Sequence, residues 1–178
     1  MAQPAADFEA LIRDVPDFPT PGVMFKDITP LLADGRAFAG VVEALAAPHR
    51  AGEDAEADVV VGIEARGFIL AAPVAVALGV GFVPIRKIGK LPAAAVSAAY
   101  ELEYGRAEVE VHADGIRPGQ RVLVVDDVLA TGGTAAAACG LVRQLGGVVV
   151  GVSVLMELAF LQGRTRLPDI PVRTLVTV

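Results

Sequence analysis

Short, almost continuous apolar runs recur along the chain and predict strands that are buried on both faces. They lie at residues 58–63, 80–85, 122–125 and 148–156, and a further run at 172–178 would close the sheet. Runs rich in valine and isoleucine without polar alternation are typical of parallel sheets that are covered on both sides. We therefore expect a parallel sheet at the centre of the molecule.

Apolar residues at helical spacing lie between these runs. Residues 36–47 carry an apolar helix face, and residues 5–12 show the same spacing over a shorter stretch. Residues 132–145 form a third predicted helix, whose first part is rich in alanine. Strands that alternate with helices predict an α/β fold, in which a central, mostly parallel sheet is flanked by helices. No linker or repeat divides the chain, so we expect residues 1–178 to form a single domain.

Residues 67–85 are uncharged and long enough to span a bilayer. Prolines and glycines divide this stretch, and its last part has the β-branched character of a strand. We predict a buried helix followed by a buried strand, and no membrane segment.

Three further segments have patterns of their own. Residues 17–30 contain too many prolines and glycines for a regular element, although their apolar side chains could pack under the core. Residues 92–97 are alanine-rich without a clear pattern, and we expect them to be mobile. Residues 98–112 alternate around a Tyr-Gly turn, as a β-hairpin with one solvated face does.

Composition narrows the classes of function. The chain has 178 residues, of which 54% are hydrophobic, and this excludes a disordered protein. A net charge of −6 argues against nucleic acid or an anionic membrane as a partner, although a local basic site would be compatible with it. Cys139 is the only cysteine and is predicted to be a small core residue. The N-terminus lacks a signal-peptide pattern, so we expect a cytoplasmic protein. His49 and His112 have no evident partner and are expected to face solvent.

The most informative stretch is residues 121–134, RVLVVDDVLATGGT. Asp126 and Asp127 stand where a buried strand should end, and adjacent carboxylates repel each other there unless a ligand, a metal ion or hydrogen-bond donors compensate them. The small residues that follow would let backbone N–H groups at the start of a helix close around a phosphate. The alternative is an ordinary strand, turn and helix in which Asp126 or Thr131 only caps the helix.

The whole string resembles the phosphoribosyl-diphosphate (PRPP) signature of the type I phosphoribosyltransferases. The resemblance implies that Asp126 and Asp127 bind the ribose hydroxyls. It also implies that a loop of small residues holds the 5-phosphate, namely Ala130, Thr131, Gly132, Gly133 and Thr134. The implied fold is that of the type I phosphoribosyltransferases, with a small hood formed by about residues 1–34 and 92–113.

Residues 18–30, FPTPGVMFKDITP, resemble a segment of the adenine-specific members of that family. In those members a phenylalanine stacks on the purine, which implies Phe25 as the stacking ring. Backbone groups of Met24 and Lys26 would then read the edge of the base. The segment after the strand at 148–156 also resembles the family and implies Leu158 as an apolar neighbour of the base.

The stretch LEYGRAE resembles the flexible hood of the same members, whose glutamate exchanges a proton with the purine. It implies Glu103 as a catalytic residue. The hairpin pattern alone does not separate Glu103 from Glu101 or Glu108.

Cations follow two of the predicted strands. Arg66 comes after the strand at 58–63, and ligands of open α/β sheets bind beyond the carboxyl ends of the strands. The next strand ends in RKIGKLP, with Arg86, Lys87 and Lys90. A surface arginine and a solvated turn would also explain these residues. The resemblance implies instead that all four bind the diphosphate of PRPP, and that the loop is partly offered to the active site of a dimer partner.

Taken together, the resemblance implies an enzyme that transfers the 5-phosphoribosyl group of PRPP to N9 of adenine and releases AMP and diphosphate. It further implies Mg²⁺ as a cofactor carried by PRPP, and a homodimer. Two alternatives stay open: the same transfer to another purine such as xanthine or guanine, and a PRPP-sensing regulator that binds nucleic acid. The acidic charge balance argues against the regulator.

Overall fold

A seven-stranded sheet forms the centre of the computed structural model, which describes residues 8–101 and 106–178. The strands are β1 (Arg13–Val15), β2 (Phe25–Asp27), β3 (Val59–Ile63), β4 (Gly81–Lys87), β5 (Ala95–Glu101), β6 (Arg106–His112), β7 (Arg121–Leu129), β8 (Val148–Glu157) and β9 (Val172–Thr177). The α-helices are α1 (Thr29–Ala33), α2 (Gly35–Ala46), α3 (Arg66–Leu78) and α4 (Gly133–Gln144). Short 3₁₀ turns lie at Glu9–Leu11, Ala47–His49, Ala159–Leu161 and Gly163–Arg166.

The strand order of the large sheet is β5-β6-β4-β3-β7-β8-β9. Pairing is parallel from β4 to β9, and the β5–β6 hairpin adds two antiparallel strands at the β4 edge, where Arg86 lies opposite Glu110. β1 and β2 form a separate antiparallel pair. This topology confirms the predicted α/β fold with a mostly parallel sheet.

Both faces of the sheet are covered, which explains why the strands read as continuous apolar runs. Val60, Leu123 and Val125 point toward the helices α1, α2 and α3, and all three side chains are fully buried. Val61 and Val124 point to the other side, against α4 and the β5–β6 hairpin. Cys139 lies in that second cluster at 1% exposure, so its prediction as a core residue is confirmed.

Residues 67–85 form most of α3 and then β4, as predicted. Among the described residues, none of the helices has both the length and the apolar character that crossing a bilayer would need.

Three local predictions differ from the structure, the first two because strand pairing between segments distant in sequence decides the conformation. Residues 25–27 form a strand, since β2 pairs with β1 and Asp27 accepts hydrogen bonds from Arg13 and Thr29. Residues 95–97 already belong to β5, where Ala95 pairs with His112. The predicted helix at 5–12 reduces to a 3₁₀ turn, Glu9–Leu11, in the part that the structure describes.

The prediction that His49 faces solvent was also wrong. Its side chain is 5% exposed, with Nδ1 2.8 Å from the carbonyl oxygen of Ala55 and Nε2 3.1 Å from the hydroxyl of Ser153. Ser153 lies 104 residues away in sequence, so no local pattern could reveal the partner. His112 is half-buried, and its Nδ1 is shielded from solvent.

Candidate functional site

A cavity of about 410 Å³ opens at the carboxyl ends of β3 and β7. Its walls come from the β3–α3 connection, the end of β7 and the loop into α4, together with one side chain of the hairpin, Tyr100. This is the edge at which open α/β sheets bind ligands. The cavity brings together seven predicted residues for ribose and phosphate and one predicted cation: Asp126, Asp127, Ala130, Thr131, Gly132, Gly133, Thr134 and Arg66.

The sequence had suggested that the two aspartates follow the strand, but they lie within β7. β7 stays paired with β8 as far as Leu129 and Glu157, whereas its pairing with β3 ends at Val125 and Gly62. The carboxylates of Asp126 and Asp127 therefore lie just beyond the point at which β7 loses its neighbour β3. The gap left by β3 is what gives them access to the cavity.

The aspartates differ in their electrostatic environment. Burial and the negative charge of Asp127 raise the pKa of Asp126 well above its usual range, although the backbone N–H of Asp127 donates to Asp126 Oδ1 over 2.9 Å. Asp127 is 4% exposed and forms an ion pair with Arg66, whose Nε lies 2.8 Å from its Oδ2. Arg66 thus offsets the charge of Asp127 and compensates the carboxylate pair only in part.

Helix α3 approaches this pair closely at its first turn. A Cβ on Gly67 would lie 2.5 Å from Asp126 Oδ1, a separation that no side chain permits. The peptide bond between Glu64 and Ala65, just before α3, is cis. A side chain at position 67 would therefore displace the carboxylate of Asp126.

The loop at 130–134 has the conformation that a backbone anion site needs. Gly132 has φ +80°, and α4 begins at the next residue without a side-chain cap, so the alternative of a helix capped by Asp126 or Thr131 is not what the structure shows. Gly132 and Gly133 are both buried at the start of the helix. Uncapped N–H groups at a helix start are suited to bind a phosphate.

A further glycine outside the loop, Gly163, supports it, and the sequence analysis did not identify this residue. A Cβ on Gly132 would lie 2.2 Å from the carbonyl oxygen of Gly163, and a Cβ on Gly163 would lie 2.3 Å from that of Ala130. The turn that carries Gly163 is fixed by Arg164, which donates from Nε and Nη2 to the buried carboxylate of Glu157 over 2.7–2.9 Å. The sequence signal that could have revealed this support is the glycine of the Gly163-Arg164 dipeptide.

Of the residues predicted for the base, Phe25 lies beside Arg66. The Arg66 guanidinium lies 5.1 Å from the centroid of the Phe25 ring, and Phe18 meets the same ring edge-on at 5.1 Å. Lys26 forms an ion pair with Asp14, and Met24 is exposed. Phe25 does not line the cavity itself, but it contacts Arg66, which does.

Leu158 is half-buried and packs against the core under α1, α2 and α3, outside the lining of the cavity. Its backbone N–H donates to the carbonyl of Leu129 over 2.9 Å.

The predicted diphosphate cations are divided between two places. Arg66 lines the cavity, and Arg86 is tied to it indirectly, because its Nε lies 3.2 Å from the carboxylate of Glu64, a lining residue. Lys87 is exposed at the end of β4, and Lys90 is exposed on the loop that follows. Lys87 lines a neighbouring cavity of about 560 Å³, which shares Tyr100 with the first.

Glu103 lies outside the described residues, so the structure does not place it. The described strands of its hairpin contribute Tyr100 to both cavities. No group of three His, Cys, Asp or Glu side chains in residues 8–101 and 106–178 could hold a metal ion.

Comparison with known proteins agrees with this geometry. Residues 31–175 match the family model described as "Phosphoribosyl transferase domain". The chain is 60% identical over 167 residues to the adenine phosphoribosyltransferase of Thermobifida fusca, covering 94% of this chain and 93% of that protein. The chain belongs to the adenine phosphoribosyltransferase family.

Solved structures of the adenine phosphoribosyltransferase family have the same fold. The enzyme of Thermoanaerobacter pseudethanolicus superposes with a TM-score of 0.93 at 47% identity, covering 98% of this chain and 100% of that chain. The enzyme of Saccharomyces cerevisiae, solved in complex with an imino-altritol bisphosphate and adenine, has a TM-score of 0.90 at 40% identity, covering 96% and 97% of the two chains. The type I phosphoribosyltransferase fold is therefore confirmed.

Proposed function

We propose that this chain transfers the 5-phosphoribosyl group of PRPP to N9 of adenine and releases AMP and diphosphate. The observation that carries the proposal is the cavity in which Asp126 and Asp127 lie beside the loop at 130–134. Relatives that are about 60% identical bear the name of this activity, and the related yeast structure contains adenine.

The aspartates and the loop would fix the sugar. Backbone N–H groups of residues 130–134 would bind the 5-phosphate at the start of α4, and Asp126 and Asp127 would accept hydrogen bonds from the ribose hydroxyls. Both groups belong to the packed frame of β7 and α4, so C1 of the ribose would be held in a defined position. Positioning of this kind supplies much of the rate gain when two reactants must meet.

The base would stack on Phe25, whose ring already has an edge-on partner in Phe18. Backbone groups of Met24 and Lys26 would distinguish the amino group of adenine from a carbonyl, and Leu158 would contact the base from its other side. Glu103 would exchange a proton with the purine ring. The hood would exclude water, which would otherwise hydrolyse PRPP.

The leaving diphosphate would be bound by Arg66, Arg86, Lys87 and Lys90. Arginine guanidinium groups suit phosphate oxygens because their donors form a planar fork. The departure of diphosphate leaves positive charge at C1, and N9 of adenine attacks from the opposite face.

We propose that Mg²⁺ enters as its complex with PRPP. The ion is commonly held by one or two carboxylates together with substrate phosphates, and Asp126 and Asp127 offer such carboxylates in the cavity. When bound, it would offset the negative charge of the leaving diphosphate.

A homodimer and a cytoplasmic location are also part of the proposal. The first rests on the resemblance of the loop after β4 to one that family members offer to a partner subunit. The second is supported by the single, buried cysteine, since secreted domains commonly carry disulfides. Sedimentation at several protein concentrations tests the assembly.

The activity is tested by AMP formation from PRPP and adenine, measured with and without Mg²⁺. Parallel assays with xanthine and guanine test the choice of base. We expect AMP only in the presence of Mg²⁺ and a strong preference for adenine. Equal rates with guanine would overturn the proposed base, and the absence of any nucleotide product would overturn the transferase activity.

A further inference from the structure

Glu110 is a buried carboxylate that lies outside both cavities and that the proposed chemistry does not use. It stands on β6 at 6% exposure. Its Oε1 accepts the backbone N–H of Lys90 over 2.8 Å and that of Leu91 over 2.9 Å. A buried carboxylate is retained only where hydrogen bonds or charges compensate its desolvation, and here the compensation comes from the loop that follows β4.

The Glu110 carboxylate is ionised at neutral pH. Burial by itself would raise its pKa, but the backbone N–H groups of Leu91, Lys90 and Gly89 outweigh burial and lower the pKa below the usual value. Two consecutive N–H groups, those of Lys90 and Leu91, bind one carboxylate oxygen and so define the course of a loop that has no regular secondary structure of its own.

Glu64, at the edge of the main cavity, holds the end of β4 from which this loop begins, and Arg86 connects it to the loop. Glu64 Oε2 accepts from Arg86 Nε over 3.2 Å and from the backbone N–H of Lys87 over 3.0 Å. Arg86 Nη1 in turn donates to the carbonyl oxygen of Lys90 over 3.3 Å. The two backbone polar groups of Lys90 are thus bound by different side chains, its C=O by Arg86 and its N–H by Glu110.

We infer that Glu110 is a positioning residue, which fixes the loop at 88–91 and so sets where Lys90 presents its charge to the diphosphate of PRPP. The inference rests on the proposed function, from which it takes PRPP as the ligand. It assigns Glu110 no contact with substrate. A flexible cation would still attract the diphosphate, but it would lose conformational entropy on binding, and Glu110 removes that cost in advance.

The test compares Glu110→Ala with Glu110→Gln. The amide oxygen of glutamine can accept the same two N–H groups that Oε1 accepts, so it keeps the hydrogen bonds while removing the charge. Glu108→Ala is the matched control, because Glu108 lies two residues earlier on β6 and its side chain accepts from the hydroxyl of Ser97, while only its backbone carbonyl, which the substitution keeps, accepts from the loop at Ile88. Melting temperatures of all variants are measured first, to show that each is folded at the assay temperature.

We expect Glu110→Ala to raise KM for PRPP roughly tenfold or more, with KM for adenine within about twofold of wild type. Glu110→Gln should stay within about threefold of wild type for both substrates, and Glu108→Ala should not raise KM for PRPP by more than about twofold. A wild-type KM for PRPP in folded Glu110→Ala, or an equal rise of both KM values, would overturn the inference.

Amide hydrogen exchange gives a readout that does not depend on activity. The N–H groups of Lys90 and Leu91 should be protected in wild type and Glu110→Gln and should exchange faster in Glu110→Ala. Unchanged protection in Glu110→Ala would overturn the role of Glu110. A wild-type chain that forms no AMP would contradict the proposed function, and the loss of protection would then support loop fixation by itself.

Discussion

Arg66 and Asp127 form an ion pair at 2.8 Å, and the guanidinium of the same arginine lies over the ring of Phe25. A cation in the first turn of a helix is opposed by the helix dipole, so its presence there needs a reason. The reason is the buried carboxylate of Asp127, which Arg66 neutralises. Because Arg66 contacts both side chains, it lies between the residues predicted for the base and for the ribose.

Asp127→Asn should weaken the use of PRPP and largely preserve adenine binding. A hydrogen bond to a charged group contributes about 1.5–3 kcal/mol, so KM for PRPP should rise roughly ten- to hundredfold. Steady-state kinetics with both substrates measures this. Asp114→Asn, at an exposed position, is the control. Unchanged kinetics in Asp127→Asn would show that the aspartate pair is misassigned.

Gly132→Ala should abolish most of the activity, because a Cβ at φ +80° would lie 2.2 Å from the carbonyl oxygen of Gly163. The loop at 130–134 would have to move, and we expect kcat/KM to fall roughly hundredfold or more. Gly140→Ala is the matched control on the same helix, since nothing lies within 4 Å of a Cβ there. It should keep full activity and gain about 0.5–1 kcal/mol in free energy of unfolding. Equal activity of the two variants would contradict the role of the loop.

The sheet and the glycine loop at 130–134 could be predicted because their signals are local. A parallel strand covered on both faces leaves an uninterrupted apolar run, and the loop before α4 leaves its glycines in one short string. Asp126 and Asp127 were identified as candidate site residues from the same short stretch of sequence. Their position inside β7 was missed, because it depends on where β3 ends, and that is set by pairing between strands.

The supporting residues could not be predicted because their partners are distant in sequence. Gly163 contacts a loop 31 positions earlier, Glu110 binds a loop about 20 positions earlier, and His49 binds Ser153 across 104 positions. Glu110 and His49 are unremarkable in their own segments, and the Gly163-Arg164 dipeptide marks a glycine without showing which loop it contacts. Only the three-dimensional arrangement shows that Gly163 and Glu110 hold the two loops of the site.

Glu103→Ala should lower kcat well beyond any change in KM for either substrate, since proton transfer by a positioned side chain commonly contributes roughly 10²–10⁴-fold to a rate. Glu108→Ala, in the same hairpin, should retain kcat close to wild type. The comparison separates two glutamates that the hairpin pattern alone leaves equivalent. A wild-type kcat in Glu103→Ala would remove this residue from the mechanism.

His49 should make the fold less stable in mild acid. Burial lowers the pKa of His49 below its ordinary value of 6.5, so the folded state keeps a neutral imidazole that the unfolded chain protonates. The unfolded state then binds more protons, and the free energy of unfolding falls as the pH falls through about 6.5. The melting temperature of wild type should therefore drop more between pH 8 and pH 5.5 than that of His49→Gln. An identical drop in both proteins would show that another group is responsible.

The central claim is that the glycine loop and the paired aspartates bind a phosphorylated ribose at the edge of the sheet. A crystal structure of the chain with AMP tests it most directly. We predict that the phosphate lies within hydrogen-bond distance of backbone N–H groups of residues 130–134, with the ribose hydroxyls on Asp126 and Asp127. A phosphate bound anywhere else, such as beside Lys87 and Lys90, would contradict the account.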